Sequence, residues 1–580
     1  MAGVLRGIGV SGGVAVGRVH LLHAEPLPVV AEPVPPERVQ AEIDAFHRAR
    51  AAARGELEEL KVQVLEALGE AYAGIFEAQR LVLEDPQLAD QTERRIRVGR
   101  VSARWALKEV VAGLMRRFEG VDDEYIRERG GELTDVQRRL QRLLRGEEAG
   151  EQHLPQGPLI VIAHAVGPSD AILLARDEVA GLATDVGGRT SHTAILAQAL
   201  FLPAVVGLHD VTRRVANGDP VVLDGDTGQV IVSPGPAETA EAERRHREAL
   251  ALESRMVSAR DLPAVTRDGA ELTIRANVEL PGEVERAVEF GARGIGLYRS
   301  EFLFLSRAPV LPSEEDHYRA YADMARKMAP HPVVVRTLDL GGEKYFHEVL
   351  AAGNADPALG LRGVRFCLMR PDVFRPQVRG LLRAAANWDN LRLMLPLVTS
   401  AEEVRRVRSL VAEEAESLRA AGAAARADVP LGIMVEVPGA ALAADILARE
   451  ADFFSLGTND LIQYALAVDR ASDSLAHLYE PLHPGVVRML FHVVECARRR
   501  GVPVAICGEV AADIQALPVL AGLGLREFSV QPRAIGPLRE SVRAMSLADA
   551  ERAARRALDP DAGSAGSPPS GLQSGPFGVS

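Results

Sequence analysis

Six positions in the second half of the chain carry side chains suited to handling a small, charged ligand. Arg299, Arg336, Glu436, Asn459, Asp460 and Cys507 each fall at or just past the end of a short apolar run. Asp339 and Lys344 lie beyond Arg336, Arg362 and Arg365 follow on the same long connection, and Arg470 comes soon after Asp460. Arginine forks match carboxylate and phosphate oxygens in pairs. Two carboxylates among such arginines suit a divalent cation with few protein ligands, because Mg2+ usually completes its shell with water and substrate oxygens. The set therefore reads as a cation plus a small, multiply anionic substrate, against the alternative of structural ion pairs at strand ends. Cys507 reads either as a small buried hydrophobe or, with a reference pKa of about 8.5, as a thiol able to give a proton to an enolate.

A second constellation runs Gly187-Gly188-Arg189-Thr190-Ser191-His192-Thr193 into the apolar stretch Ala194-Ile195-Leu196-Ala197. The glycines permit a tight turn, Thr190 and Ser191 can cap, and the apolar run reads as a helix with His192 near its N-terminus. That end offers free N–H donors and partial positive charge to an anion. A neutral imidazole there can attack phosphorus; taken alone, a histidine that only caps or packs is the plainer reading. Gly7-x-Gly9-x-x-Gly12 matches the dinucleotide fingerprint but precedes a strand-like segment instead of opening a helix, so it is discounted, and no P-loop pattern occurs.

Side chains at strand ends need a scaffold that gathers those ends. Runs at 272–277, 294–297, 332–336, 391–396, 431–435, 453–456, 503–506 and 526–529 are short, apolar on both faces and separated by helical stretches. This is the pattern of parallel strands buried on both sides. Eight such units over about 300 residues predict a closed (β/α)8 (TIM) barrel, with an open doubly wound sheet as the other possibility. In the barrel, function collects past the C-terminal strand ends, where these residues fall. Upstream, strand-like segments at 5–22 and 159–232 flank a nearly proline-free block from Glu37 to Gly146 in which Leu57, Leu60, Val64 and Leu68 recur at helical spacing. That block reads as a helical bundle inserted into an α/β domain, and 237–256 as a connecting helix. Between Glu56 and Asp85, eight acids face two basic residues. Such a run is usually a solvated face, and here it is also a candidate docking surface. The Gly-, Ser- and Pro-rich tail is expected to be disordered.

Composition sets outer limits. The chain has 580 residues, of which 47% are hydrophobic and 25% charged, which excludes a disordered or collagen-like protein and leaves room for several cores. A net charge of -13 argues against a dedicated nucleic-acid binder and suits a basic partner. Three scattered cysteines make no disulfide framework or zinc spacing. Without a leader-like start or an apolar run of about 18 residues, no membrane insertion is expected and the protein is read as cytoplasmic.

The motifs GGRTSHTAILA at 187–197, GIGLYRSEFLF at 294–304, VRTLDLGGEK at 335–344, GIMVEVP at 432–438, FFSLGTNDLIQYALAVDR at 453–470 and ICGEVAAD at 506–513 together resemble the phosphoenolpyruvate-protein phosphotransferases, Enzyme I of the bacterial sugar phosphotransferase system (PTS). The resemblance implies a multidomain α/β protein. A swivelling phosphohistidine domain at 1–30 and 146–233 would carry an inserted HPr-binding helical domain at 31–145. A linker helix at 234–260, a phosphoenolpyruvate-binding barrel at 261–557 and a disordered tail at 558–580 would follow. It implies His192 as the phosphorylated nucleophile, substrate binding by Arg299, Arg336, Lys344, Arg362, Asn459, Asp460 and Arg470, Mg2+ on Glu436 and Asp460, and Cys507 as proton donor. It further implies HPr as the carrier, a role in sugar transport and a homodimer formed through the barrel. Ala171 and Gln198 stand where the family pattern has threonine and arginine, and Gln79 replaces a frequent histidine. Two other readings remain: a regulatory carrier-binding protein with weakened chemistry, and a dikinase- or synthase-like phosphoenolpyruvate enzyme.

Overall fold

The computed structural model describes residues 3–22, 29–31, 33–68, 75–119, 124–146, 157–166, 170–174, 176, 178–188, 192–280, 282–305, 311–339, 359–469 and 475–559. In the second half, eight strands close into a parallel barrel: β9 (Thr273–Val278), β10 (Ile295–Arg299), β11 (Val333–Arg336), β12 (Leu391–Leu395), β13 (Leu431–Val435), β14 (Phe454–Gly457), β15 (Val504–Cys507) and β16 (Glu527–Val530), with β16 pairing back onto β9. The open-sheet alternative is thereby excluded. Residues apolar on both faces do two jobs. Ile274, Ala276, Leu391, Leu393, Ile433 and Phe454 pack outward in the large core shared with the helices. A separate inner cluster of Leu297, Val334, Met394, Met434, Phe453 and Cys507 fills the barrel. Helix starts are set locally. At Ala401–Ala420, the Ser400 hydroxyl accepts from Glu403 N (3.3 Å) while the Glu403 carboxylate accepts from Ser400 N (2.9 Å).

The first half is built on an eight-stranded sheet of order β1-β8-β7-β3-β4-β5-β6-β2. Its strands are β1 (Gly3–Arg6), β2 (Ile8–Ser11), β3 (Val14–Leu21), β4 (Leu159–Ala163), β5 (Val179–Thr184), β6 (Ala204–Val206), β7 (Pro220–Asp224) and β8 (Gln229–Val232). β3, β4, β5 and β6 are parallel neighbours, whereas β1, β2, β7 and β8 pair antiparallel. The discounted glycine fingerprint lies among β1, β2 and β3 and opens no helix.

Helices Val39–Leu68, Ile75–Glu84, Pro86–Gly99, Ala103–Glu119 and Glu124–Leu144 all fall between β3 and β4, which are adjacent in the sheet. Phe46, Leu107 and Leu140 of these helices share one apolar cluster with Val161 and Leu182 of the sheet, so the helical block is packed onto the strands it interrupts. The acidic run there is partly internal. Glu56 pairs with Arg139 (2.8 Å) and Arg142 (2.5 Å) of Glu124–Leu144, and Glu84 pairs with Arg80 (2.8 Å). Glu58 and Glu59 are exposed. Helix Pro236–Ser258 then leads to the barrel. No helix among the described residues is long and apolar enough to cross a membrane.

Candidate functional site

The barrel brings most of the chemistry-bearing residues to its C-terminal mouth. Arg299 ends β10, Arg336 ends β11, Glu436 follows β13, Asn459 and Asp460 lie in the first turn of Thr458–Leu466 after β14, and Cys507 ends β15. Arg362 stands just before Gly363–Met369 and reaches back into the mouth. Gly363, at φ +57°, makes this approach possible: a Cβ there would lie 2.8 Å from Leu397 Cβ and 3.2 Å from Asp339 Oδ1. Gly457 likewise leaves room for Glu436, since its Cβ would stand 2.8 Å from that carboxylate.

The charges interlock. Arg336 binds Glu301 (3.0 Å) and Asp339 (3.0 Å), and Arg362 binds Asp339 (2.9 Å) and Asp460 (3.1 Å). Arg299 pairs with Glu279, while its buried Nε has no hydrogen-bond partner among the described residues. The buried Nε of Arg336 and Oε2 of Glu301 are likewise without one. Burial opposes the charge on Arg336, but Glu301 and Asp339 beside it more than offset this and raise its pKa. Arg299, Arg336 and Arg362 thus each already have a carboxylate partner with which an anionic ligand would compete. Arg365 points elsewhere, to Thr399 (3.3 Å) and Glu403 (3.7 Å).

Asp339, Glu436 and Asp460 are buried, and a ligand oxygen from each lies within 4.8 Å of the others, a donor set of hard oxygens that fits a divalent cation. Burial, together with the charges of Asp339 and Asp460, pushes the Glu436 carboxyl up to about 8, although Leu397 N donates to it (2.6 Å). Glu436 thus resists ionisation beside the other two acids, and a cation is the species that would relieve it. The sequence reading named Glu436 and Asp460 but gave no role to Asp339, Glu301 or Glu279. Asp339 sits inside the 335–344 motif, three residues past Arg336, which was its available signal.

Cys507 is buried. Its Sγ donates to Leu456 O (3.3 Å) and accepts from Ser455 Oγ (3.4 Å). Burial pushes its thiol up, against the lowering effect of Ser455, so it stays protonated at neutral pH. Asn459 ties this wall together, accepting from Glu509 N (3.0 Å) and donating to the Glu509 carboxylate (3.4 Å). Lys344 and Arg470 lie outside the described residues.

The second constellation is on the other sheet. His192 is the first residue of helix His192–Ala199. The strand end before it is held by buried Asp185, which receives Thr212 N (3.0 Å), Thr212 Oγ1 (2.5 Å) and His164 Nδ1 (3.1 Å). The helix is fastened by Thr193 Oγ1 to Val166 O (3.3 Å) and by Gln198 Nε2 to Val10 O (2.8 Å). Gln79 also has a structural partner, donating to Asp135 (2.5 Å).

Three family models match: the N-terminal region of PEP-utilising enzymes over residues 6–129, their mobile domain over 155–228 and their PEP-binding domain over 253–547. Proteins named phosphoenolpyruvate-protein phosphotransferase from Geobacillus stearothermophilus and from Bacillus sp. (strain S) are 41% and 40% identical over 548 residues, covering 94% of this chain and 94% of each relative. The Bacillus subtilis protein of the same name is 39% identical over 547 residues. A solution structure described as Enzyme I (nEIt) is 36% identical, covering 42% of this chain and 98% of its own, at a TM-score of 0.36. A barrel mouth of interlocked arginines and carboxylates, a histidine opening a helix on a separate sheet, and relatives matched almost end to end lead to one assignment: the chain belongs to the phosphoenolpyruvate-protein phosphotransferases, enzymes of the PEP-utilising group.

Proposed function

We propose that the protein takes the phosphoryl group of phosphoenolpyruvate onto His192 and passes it to the carrier protein HPr, releasing pyruvate as the first step of a sugar phosphotransferase system. The observation that carries this reading is the convergence of Arg299, Arg336 and Arg362 with three buried carboxylates at one barrel mouth. Arg299, Arg336, Asn459, Asp460 and Arg470 bind the substrate, and Lys344 and Arg362 lie at its phosphate. Glu436 and Asp460 hold Mg2+, which when bound neutralises charge on the phosphoryl oxygens. Asp339, clamped by Arg336 and Arg362, fixes those two forks.

The atoms balance without a redox partner. The P–O bond to the enol oxygen breaks, an N–P bond forms at the His192 imidazole, and the enolate takes a proton on carbon to become pyruvate. Cys507 supplies that proton; a thiol held neutral by burial is an acid ready to give it. In this reading the phosphohistidine domain comprises 1–30 and 146–233, the carrier-binding insert 31–145, the linker 234–260 and the donor barrel 261–557, with the protein a cytoplasmic homodimer through the barrel.

The test is intact mass after incubation with phosphoenolpyruvate and Mg2+, beside His192→Ala and EDTA controls. One acid-labile phosphoryl group, absent from both controls, is expected. No adduct despite substrate binding would favour a regulatory protein, and an adduct requiring ATP would favour a dikinase.

A further inference from the structure

The helix that begins at His192 is in contact with the barrel through side chains that play no part in the chemistry above. Phe201, two residues past the end of His192–Ala199 and held at φ +54°, presents its ring to the Arg286 guanidinium, 5.0 Å from the ring centroid. Arg286 lies on Glu283–Glu289, between β9 and β10, and is fixed by Glu289 (2.9 Å) and by Glu253 (2.9 Å) of the connecting helix Pro236–Ser258. Leu280, after β9, and Phe302, in the short helix Glu301–Leu305 after β10, are 5% and 7% exposed and share an apolar cluster with Leu196, Ala197 and Leu202 of the histidine segment. Past the end of β16, Arg533 donates to Gly12 O (3.1 Å).

These contacts fall on the segments that follow three neighbouring strands of the barrel, β16, β9 and β10. Leu280 directly follows Glu279, the partner of Arg299, and Phe302 directly follows Glu301, the partner of Arg336. The rim that receives the histidine segment is therefore the rim that holds the donor-site arginines. Among the described residues, a cation–π contact, a hydrogen bond and shared apolar packing join the two sides.

We propose that Phe201 and Arg286, with Leu280 and Phe302 beneath them, are positioning residues for the first half-reaction only. They dock the His192 helix on the mouth while the phosphoryl group is taken from phosphoenolpyruvate, and they separate when that helix serves the carrier. This rests on the function proposed above. The full-length chain carrying Phe201→Ala, and separately Arg286→Gln, is given two donors: phosphoenolpyruvate with Mg2+, and phosphorylated HPr running in reverse. Phosphorylation of His192 from phosphoenolpyruvate is expected to fall about ten- to a hundredfold, while phosphorylation from phosphorylated HPr stays within about twofold, because misplacing a reacting group affects only the step it was positioned for. The double variant is expected to be no slower than the worse single one, since both remove the same contact. Phe201→Leu, which keeps apolar packing but loses the ring, should fall between wild type and Phe201→Ala. Equal losses with both donors, or no loss with either, would overturn the dock. A wild-type chain that accepts from neither donor would overturn the parent reading and the dock together.

Discussion

The two places that would exchange a phosphoryl group are built in opposite ways. At the barrel mouth Arg336, Arg362, Asp339, Glu436 and Asp460 are largely buried, the two arginines are paired with Asp339 and Asp460, and the side chains arrive from different strands of a closed barrel. The histidine segment is a single helix, His192–Ala199, in which Thr193 bonds Val166 O, Gln198 bonds Val10 O of β2, and Leu196 and Ala197 share an apolar cluster with Leu182 and Ala204 of the sheet. Buried, mutually paired charges are expensive to rearrange, so the mouth is a fixed receptor. A short helix fastened to its own sheet can be carried between partners together with that sheet. The contrast assigns recognition to the barrel and delivery to the sheet, and it can be broken or sharpened by substitutions on either side.

The largest effect is expected from Arg336→Ala. It leaves Glu301 and Asp339 buried beside an empty position, so stability should drop by about 3–5 kcal/mol in denaturant titration. Phosphorylation from phosphoenolpyruvate should fall by at least about a hundredfold in the protein that remains folded. Next is Cys507→Ser, which exchanges a buried thiol for a far weaker acid. Pyruvate formation should slow by about 10²–10⁴ with little change in KM, measured in a coupled assay. Loss through a raised KM instead would make Cys507 a packing residue.

In the helical block the contrast between two acids is informative. Glu56→Lys puts a third positive charge beside Arg139 and Arg142, and should cost about 1–3 kcal/mol of stability by thermal unfolding. Glu59→Lys, at an exposed position, should change stability by less than about 0.5 kcal/mol, so any effect it has on transfer to the carrier reports docking. A modest effect is expected from Gln198→Ala. Losing one hydrogen bond to Val10 O should cost about 1 kcal/mol and slow phosphorylation from either donor by about fivefold or less, read by quench-flow.

Much of the fold was legible because parallel barrel strands must be apolar on both faces. The eight barrel runs read from sequence begin and end within two residues of β9 to β16, and the strand ends collect the polar residues as that architecture requires. What could not be read was pairing across the fold. Glu301 and Glu279 look like ordinary surface acids until Arg336 and Arg299 are placed beside them, and the sequence places Asp339 near Arg336 without showing that Arg362 closes on it too. The acidic run from Glu56 to Asp85 looks uniformly solvated, yet Glu56 answers two arginines more than 80 residues away in the chain. The meeting of Phe201 with Arg286 joins two separately folded sheets, so no local pattern signals it. Gln198 departs from the family pattern but still finds a backbone carbonyl to hold.

The central claim, that the barrel mouth alone recognises the donor while His192 only accepts its phosphoryl group, is tested most directly by calorimetric titration of phosphoenolpyruvate and Mg2+ into full-length His192→Ala protein, with Arg336→Ala alongside. Mg2+-dependent binding retained by the first variant and lost by the second is the expected result. Binding that disappears with His192, or that survives removal of Arg336 unchanged, would contradict it.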